Sequence, residues 1–342
     1  MRNNLKICLS IFTYPGMGTY GRSSKIGRAL NEIGHDVTIL CSSKYFSIEP
    51  KIYYRYGIKH VEFYSPIHYL PLFGSGNSLY DIYKRIIFLR ENNFDIIHGF
   101  EHFFNVSLPI FFAQKQKMSD FLYISDWCDL YSAGIKYGRS RIIPFGKQIA
   151  EYLETRSRLN TDGITVISPY LKELAEKIMD NQSQILLLPN GCPYGWFKSV
   201  DKKRAKQLSK LRKSKKYIGL VGNVSKIALK IYSLALKKII EEFPEVNILI
   251  TGNNGNQRYS PILNSVGIED NRIIATGFLK DKDLHMHMSS CDLFINPLID
   301  SIYDLARGPE KTGAYFAIGR PIIISDIGNY DAEIVKKFNL GF

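Results

Sequence analysis

Twice along this chain a short apolar strand runs into a glycine turn, then an amphipathic helix, then a second short apolar strand. The first copy is KICLSIF (Lys6 to Phe12), the glycine stretch YPGMGTYGRS (Tyr14 to Ser23), the helical run RSSKIGRALNEIG and the strand DVTILCS. The second copy is YIGLVGN (Tyr217 to Asn223), the helical run KIYSLALKKIIEEFP closed by Pro244, and the strand VNILITGN. Further brief β-rich runs follow each copy, FDIIHGF, DFLYISD, GITVIS and ILLLPNG in the front half and RIIATGF, CDLFINP and RPIIISD in the rear half. Strands of this length alternating with helices predict parallel sheets covered on both faces. With 342 residues there is enough chain for two such cores. The expected fold is therefore α/β, with two facing Rossmann-like, doubly wound domains. They are expected over residues 1–195 and 196–342, joined near Gly191 to Lys216. Ligands of such sheets sit beyond the carboxyl ends of the strands, so the site is expected in a cleft between the two.

Gly16, Gly18 and Gly21 spell G-x-G-x-x-G, the spacing of a dinucleotide fingerprint. That fingerprint also needs an acid at the end of the second strand to hold the ribose hydroxyls. Here the second strand ends in Ser42, Ser43 and Lys44, so a nicotinamide cofactor is not expected. The glycines keep their physical role of bringing backbone close to a ligand, and the following helix start offers N–H donors. The alternative is a tight strand-to-helix turn with no ligand.

The formal net charge of +13 favours anionic partners such as nucleotide phosphates or an acidic membrane face. Much of the excess lies in Lys202 to Lys216, where nine of fifteen residues are basic. That run reads as a solvated helix, or as a peripheral contact with anionic headgroups. No aromatic residue interrupts it and no nucleic-acid motif accompanies it, so nucleic acid is not an expected partner. The five cysteines are scattered and odd in number, without a CxxC pair, which fits a reducing, cytoplasmic setting. The first residues lack the pattern of a signal peptide, and no apolar run approaches a membrane span.

The most informative stretch runs from Asp300 to Val335. Arg307, Gly308 and Pro309 form a loop, Pro309 suits a helix start, and Lys311 falls in the first turn. The helix is expected to stop at Gly319, before the buried strand IIIS. Two cations at the positive end of a helix dipole hold a diphosphate. They also stabilise the charge that grows when a sugar–diphosphate bond breaks. An ordinary loop with solvated Arg and Lys is the competing explanation.

Taken in order, several segments resemble a known family, the GT-B-fold glycosyltransferases of the retaining family-4 (group 1) type. GHDVTIL (Gly34 to Leu40) is similar to the family's GH-x-V strand, and FDIIHGF to its strand carrying an aromatic, Asp and His. ITVIS and LLPNG (Leu187 to Gly191) resemble its strand ending in Ser and its PNG turn. VGN followed by Lys230 resembles its glycine turn and phosphate-contacting lysine, and AIGRPIIISDIGNYDAEIV its A-x-G-x-P-V-I segment. The resemblance covers nearly the whole chain. It implies transfer of a sugar from a nucleotide-sugar donor to a hydroxyl acceptor (a glycan, a lipid or a small molecule), with retention and without an obligatory metal or cofactor. It assigns Lys230, Arg307 and Lys311 to the leaving diphosphate, with Gly222, Asn223 and Gly308 around the phosphates. Two departures stand out. Ala306 and Ala314 occupy the positions of the family's paired glutamates, with Glu310 the nearest acid. The chain also stops at NLGF, where the family continues with helices that cross back, so a truncated copy or a shortened member is expected. Two alternatives follow, a catalytically inactive GT-B-like binding protein and a GT-B-fold sugar-nucleotide epimerase.

Other candidates lie in the front half. SDWCD (Ser125 to Asp129) closes a strand, where Asp126 could orient an acceptor hydroxyl and Trp127 could stack on a sugar ring or simply pack. Gly16 and Gly18 are placed on the same acceptor side, as is His98 at a strand end. HGFEH (His98 to His102) matches the metalloprotease pattern H-x-x-E-H, which requires a helix; a strand ending at His98 argues against metal there.

Overall fold

The computed structural model describes residues 4–65, 76–116, 120–134, 146–179, 184–192, 200–222, 224–252 and 255–342. Asn223, one of the expected phosphate-side residues, lies outside them. The chain divides into two compact units, Met1–Pro189 and Asn190–Phe342.

In the first unit eight strands form one sheet, β1 (Lys6–Ile11), β2 (Asp36–Ser43), β3 (Lys51–Arg55), β4 (Ile58–Tyr64), β5 (Ile96–Phe100), β6 (Leu122–Trp127), β7 (Gly163–Val166) and β8 (Ile185–Leu187). Their order is β3-β4-β2-β1-β5-β6-β7-β8. Every neighbouring pair is parallel except β3 with β4. Side chains alternate across a strand, so a strand buried on both faces must be apolar almost throughout. β1 obeys this: Ile7, Leu9 and Ile11 enter one apolar cluster with Val37 and Ile39, while Cys8 joins Leu40, Val61 and Ile97 in another. Helix Tyr20–Glu32 lies so close to the sheet that a methyl on Gly27 would come within 2.9 Å of Leu9 Cδ1.

The β3–β4 hairpin is an element the sequence reading did not assign. Its two-residue turn, Tyr56–Gly57, has φ of 54° and 75°, as a type I′ turn requires. Tyrosine at the first turn position lacks the Asn or Asp that usually signals such a turn, which hid it.

The second unit carries β9 (Lys216–Val221), β10 (Val246–Thr251), β11 (Ile273–Ala275), β12 (Leu293–Asn296) and β13 (Ile322–Ile324), in the order β11-β10-β9-β12-β13 and all parallel. The winding reverses between β9 and β12, which makes their carboxyl ends the switch point where such sheets bind ligands. Tyr217, Leu249, Phe294 and Tyr315 fill one face of this sheet, and Ile218, Ile248, Ile250 and Leu236 the other. At the far edge Leu340 and Phe342 pair with Ile322 through bonds of 3.1 and 2.8 Å. The basic run begins as helix Lys202–Leu208, and it is less free than its composition suggests. Lys202 and Lys206 both pair with Asp292, at 2.7 and 3.6 Å, and Lys206 is buried over the Tyr217 ring. None of the five cysteines forms a disulfide. No helix among the described residues is long and apolar enough to cross a membrane.

Candidate active site

In the second unit the carboxyl rim starts with two glycines. Gly222 follows β9 at φ 68° and donates its N–H to Thr251 O at 2.8 Å. Gly252 follows β10 at φ 112°, and a methyl there would sit 2.9 Å from Gly222 Cα. Left-handed backbone and this close approach together leave room for glycine only.

Beside them, at the ends of β12 and β13, a polar cluster forms around Thr312. Asn296 ends β12, fully buried, and donates Nδ2 to Thr312 Oγ1 at 3.2 Å. Ser301 caps the short helix Ile302–Ala306 and fixes Asp304. One Asp304 oxygen accepts from Ile299 N–H at 2.8 Å, and the other holds Arg307 Nη2 at 2.7 Å. Arg307 also lies 5.1 Å over the Tyr303 ring. Helix Glu310–Ile318 then starts behind Pro309 with no side-chain cap, and ends at left-handed Gly319 as the sequence predicts. Asn190 donates Nδ2 to Gly308 O at 2.6 Å, and Gly313 sits against the Gly191–Cys192 backbone, where a methyl would meet atoms at 3.1 and 3.2 Å. The Asn190–Gly191 turn thus braces the start of this helix.

Lys311 is half-buried in the helix's first turn. Desolvation, and then the nearby Arg307 charge, lower its pKa to about 7, against the pull of Asp304 and Asp331. Asp331 opens the Tyr330–Lys337 helix behind its Asn329 cap. Burial raises its pKa to about 6, although a Thr312 hydrogen bond and the two cations oppose this. Four buried polar atoms in this cluster have no bonding partner: Asn296 Oδ1, Arg307 Nε, Asn329 Nδ2 and Asp331 Oδ2. An orphaned buried group costs about 1–3 kcal/mol, so these four atoms mark a place where further polar atoms can bond.

The first unit's rim is organised by one buried charge network. The glycine loop turns at Gly16 (φ 87°) and Gly18 (φ 54°), both exposed, and is closed by Thr13 Oγ1 donating to Met17 O at 2.8 Å. Arg22, in the first turn of the following helix, reaches back into the sheet. It donates to Asp126 through Nε (3.0 Å) and Nη2 (2.8 Å), and to Leu188 O at 2.8 Å. Thr165 Oγ1 donates to the same carboxylate at 2.6 Å. Burial alone would raise the Asp126 pKa, but Arg22 more than offsets this and holds the carboxyl low. His98 Nε2 lies 3.0 Å from Thr165 Oγ1 and 3.8 Å from Asp126. Burial lowers its pKa to about 4, so the ring is neutral at pH 7. Asp126, 0% exposed with both oxygens occupied, is placed to position Arg22 rather than to touch an acceptor hydroxyl directly. Trp127 has no free face for a sugar ring. It is 3% exposed, bonds Glu154 through Nε1 at 3.0 Å and is covered by the Arg158 guanidinium at 4.3 Å.

The HGFEH stretch is not helical, since His98 lies within β5. Glu101, His102 and Glu154 do come within metal-ligand reach of one another. Their carboxylates are engaged already, Glu101 with the N–H groups of Cys128 and Asp129 and with Arg158, and Glu154 with Trp127, Tyr131 and Ser132.

Residues 215–341 match the family model of glycosyl transferases group 1. Over those residues the second unit is similar to a group 1 glycosyltransferase domain. Over 205 residues, 58% of the chain, the sequence is 27% identical to TuaH of Bacillus subtilis (strain 168), a protein assigned by name to teichuronic acid biosynthesis as a glycosyltransferase. The chain spans about half the length of that curated relative, 49%. Among solved structures it is similar to sucrose-phosphate synthase from Thermosynechococcus elongatus, with a TM-score of 0.70, 16% identity, and coverage of 95% of this chain and 82% of that one. It is similar also to Anabaena HepE in complex with UDP and glucose, with a TM-score of 0.65, 14% identity, and coverage of 97% and 83%. These likenesses show that the chain shares the fold of those proteins.

Within the second unit, the structure brings Arg307, Lys311 and Gly308 together at one helix start, with Glu310 as that helix's first residue. Lys230 is exposed, one turn into the helix that begins at Lys226, and no described ion pair ties it to the cluster. Ala306 and Ala314, at the family's glutamate positions, are both buried, Ala314 within the Tyr217–Tyr315 apolar cluster. Sequence reasoning missed Asn296, Thr312, Asn329 and Asp331. The available signal was a polar residue directly after an apolar strand, as in LFIN, or just before a helix, as in GNYD.

Proposed function

We propose that the chain transfers a glycosyl unit from a nucleotide-sugar donor to a hydroxyl acceptor. The observation that carries this reading is the Thr312 cluster: two cations, an uncapped helix start and four unpartnered buried polar atoms, all at the switch point of the group 1 domain. In this reading Arg307, Lys311 and the first-turn N–H groups receive the donor diphosphate. Their charge stabilises the oxyanion that grows as the bond to the sugar breaks. Retention follows if the departing phosphate takes the acceptor proton on the face where the acceptor attacks. The two cations act where other transferases use a divalent ion, so activity should persist in EDTA. Uridine is the first base to test, because the HepE structures hold UDP and UDP-glucose. With Ala314 in place of a glutamate, Asp331 and Glu310 are the acids left to meet the ribose hydroxyls.

Isothermal titration with UDP, GDP and ADP sugars tests donor binding. One of them should bind, and Arg307→Ala should weaken it about ten- to hundredfold, the loss of one charge-assisted contact. Absence of binding at millimolar concentration for all three would remove the donor reading. Donor turnover without any acceptor would instead favour an epimerase.

A further inference from the structure

We propose that the first unit carries a membrane-docking surface for anionic bilayers on its β3 edge, distinct from the basic run at Lys202–Lys216. The segment Lys44 to Arg55 leaves β2, forms a loop and returns as the edge strand β3. In it Tyr45, Phe46, Ile48, Ile52 and Tyr54 are each more than half exposed. Single exposed apolar side chains are ordinary, but five within ten residues form a patch that marks a binding surface.

The loop is held rather than slack. Tyr80 donates its hydroxyl to Ile48 O at 2.7 Å, and Phe46 packs edge-on against Tyr64 at 5.1 Å. The rings therefore stand out from a fixed platform, which lowers the ordering cost of docking.

Charge decides the occupant. Lys44 lies over the Tyr45 ring at 5.5 Å, and Lys51 over Tyr53 at 5.4 Å. Across the hairpin Lys59 stands opposite Tyr54, on the face of β3 that carries Ile52 and Tyr54, while Lys51 and Arg55 share the other face with Tyr53. The one acid of the loop, Glu49, is paired with Lys84 at 3.5 Å. An edge that presents rings and cations on both of its faces matches the headgroup zone of an anionic bilayer, where rings sit at the interface and each cation adds attraction. The cations at both ends of β3 disfavour edge-to-edge pairing with another strand. Tyr45 and Phe46 follow the carboxyl end of β2, on the same rim as the glycine loop with its exposed Met17. A lipid-borne hydroxyl would thus arrive beside the glycine loop, although docking itself does not depend on transferase activity.

The test is sedimentation with vesicles of phosphatidylcholine alone and with phosphatidylglycerol added. The protein should partition onto the phosphatidylglycerol vesicles and lose affinity as salt rises. The variant Tyr45→Ser/Phe46→Ser/Ile48→Ser/Tyr54→Ser should bind at least tenfold less, and so should Lys51→Glu/Arg55→Glu. Lys203→Glu/Arg204→Glu, in the other basic segment, should bind as the parent does. Because a multiple variant can misfold, Phe46→Trp gives an independent reading: its emission should be quenched by brominated lipid. Binding that survives the patch variants, or that is lost with Lys203 and Arg204, overturns the proposal. So does a dimer in the absence of lipid that the patch variants dissociate, since the face would then belong to a second copy.

Discussion

Lys311 makes the proposed donor site sensitive to pH in a calculable way. Its pKa in the free protein is about 7, against an ordinary 10.5, because burial and Arg307 disfavour the charge. A bound diphosphate brings further negative charge beside Lys311 and restores the ammonium, so binding takes up a proton whenever Lys311 is neutral. The protonated fraction is about one half at pH 7 and about one in thirty at pH 8.5. Donor affinity should therefore fall about sixteenfold between those values. Asp331, with a pKa of about 6, is mostly ionised throughout and contributes little slope in this window. UDP-glucose is a suitable probe, since its diphosphate is a diester and does not titrate there. Titration calorimetry in buffers of different ionisation enthalpy reads both the affinity and the proton uptake. In Lys311→Arg, whose charge does not titrate, the profile should be flat. A flat profile in the parent protein, or a slope that persists in Lys311→Arg, would refute the reasoning.

Other outcomes follow from the same geometry. Arg22→Met leaves Asp126 buried without its main partner and should cost about 3–5 kcal/mol in urea unfolding, whereas Arg22→Met/Asp126→Leu should recover much of that; equal losses in the single and double variants would contradict the pairing. His98 stays neutral in the folded state down to a pKa of about 4 but protonates near 6.5 when unfolded. The unfolded chain then binds more protons, so stability falls as pH drops from about 6.5 to 4, by about 3 kcal/mol from this residue. His98→Asn should remove that part of the slope in denaturant midpoints. Gly252→Ala should cost about 2 kcal/mol or more in thermal unfolding, because it meets both a left-handed φ of 112° and the Gly222 backbone at 2.9 Å.

Much of the architecture was legible beforehand because it rests on local periodicity. Strands buried on both faces must be apolar, so KICLSIF, VNILIT and DLFIN announced a parallel sheet without reference to the rest of the chain. The helix from Glu310 to Ile318 was readable for a similar reason: Pro309 and Gly319 set its ends through backbone geometry alone. Arg307 and Lys311 could be paired because one loop and one helical turn separate them. The β3–β4 hairpin was not readable, since its Tyr–Gly turn lacks the usual asparagine or aspartate.

The sequence by itself determined the alternation of strands and helices, the two glycine rims and the cations at one helix start. Each of these depends on neighbours within a few residues. Only the tertiary structure decided that Asp126 is consumed by Arg22 and Thr165, that Trp127 lies under Arg158, and that Asn296, Asn329 and Asp331 gather around Thr312. Those partners come from strands and helices far apart in the chain. Whether a buried polar atom is satisfied or orphaned depends on side chains that no local pattern specifies.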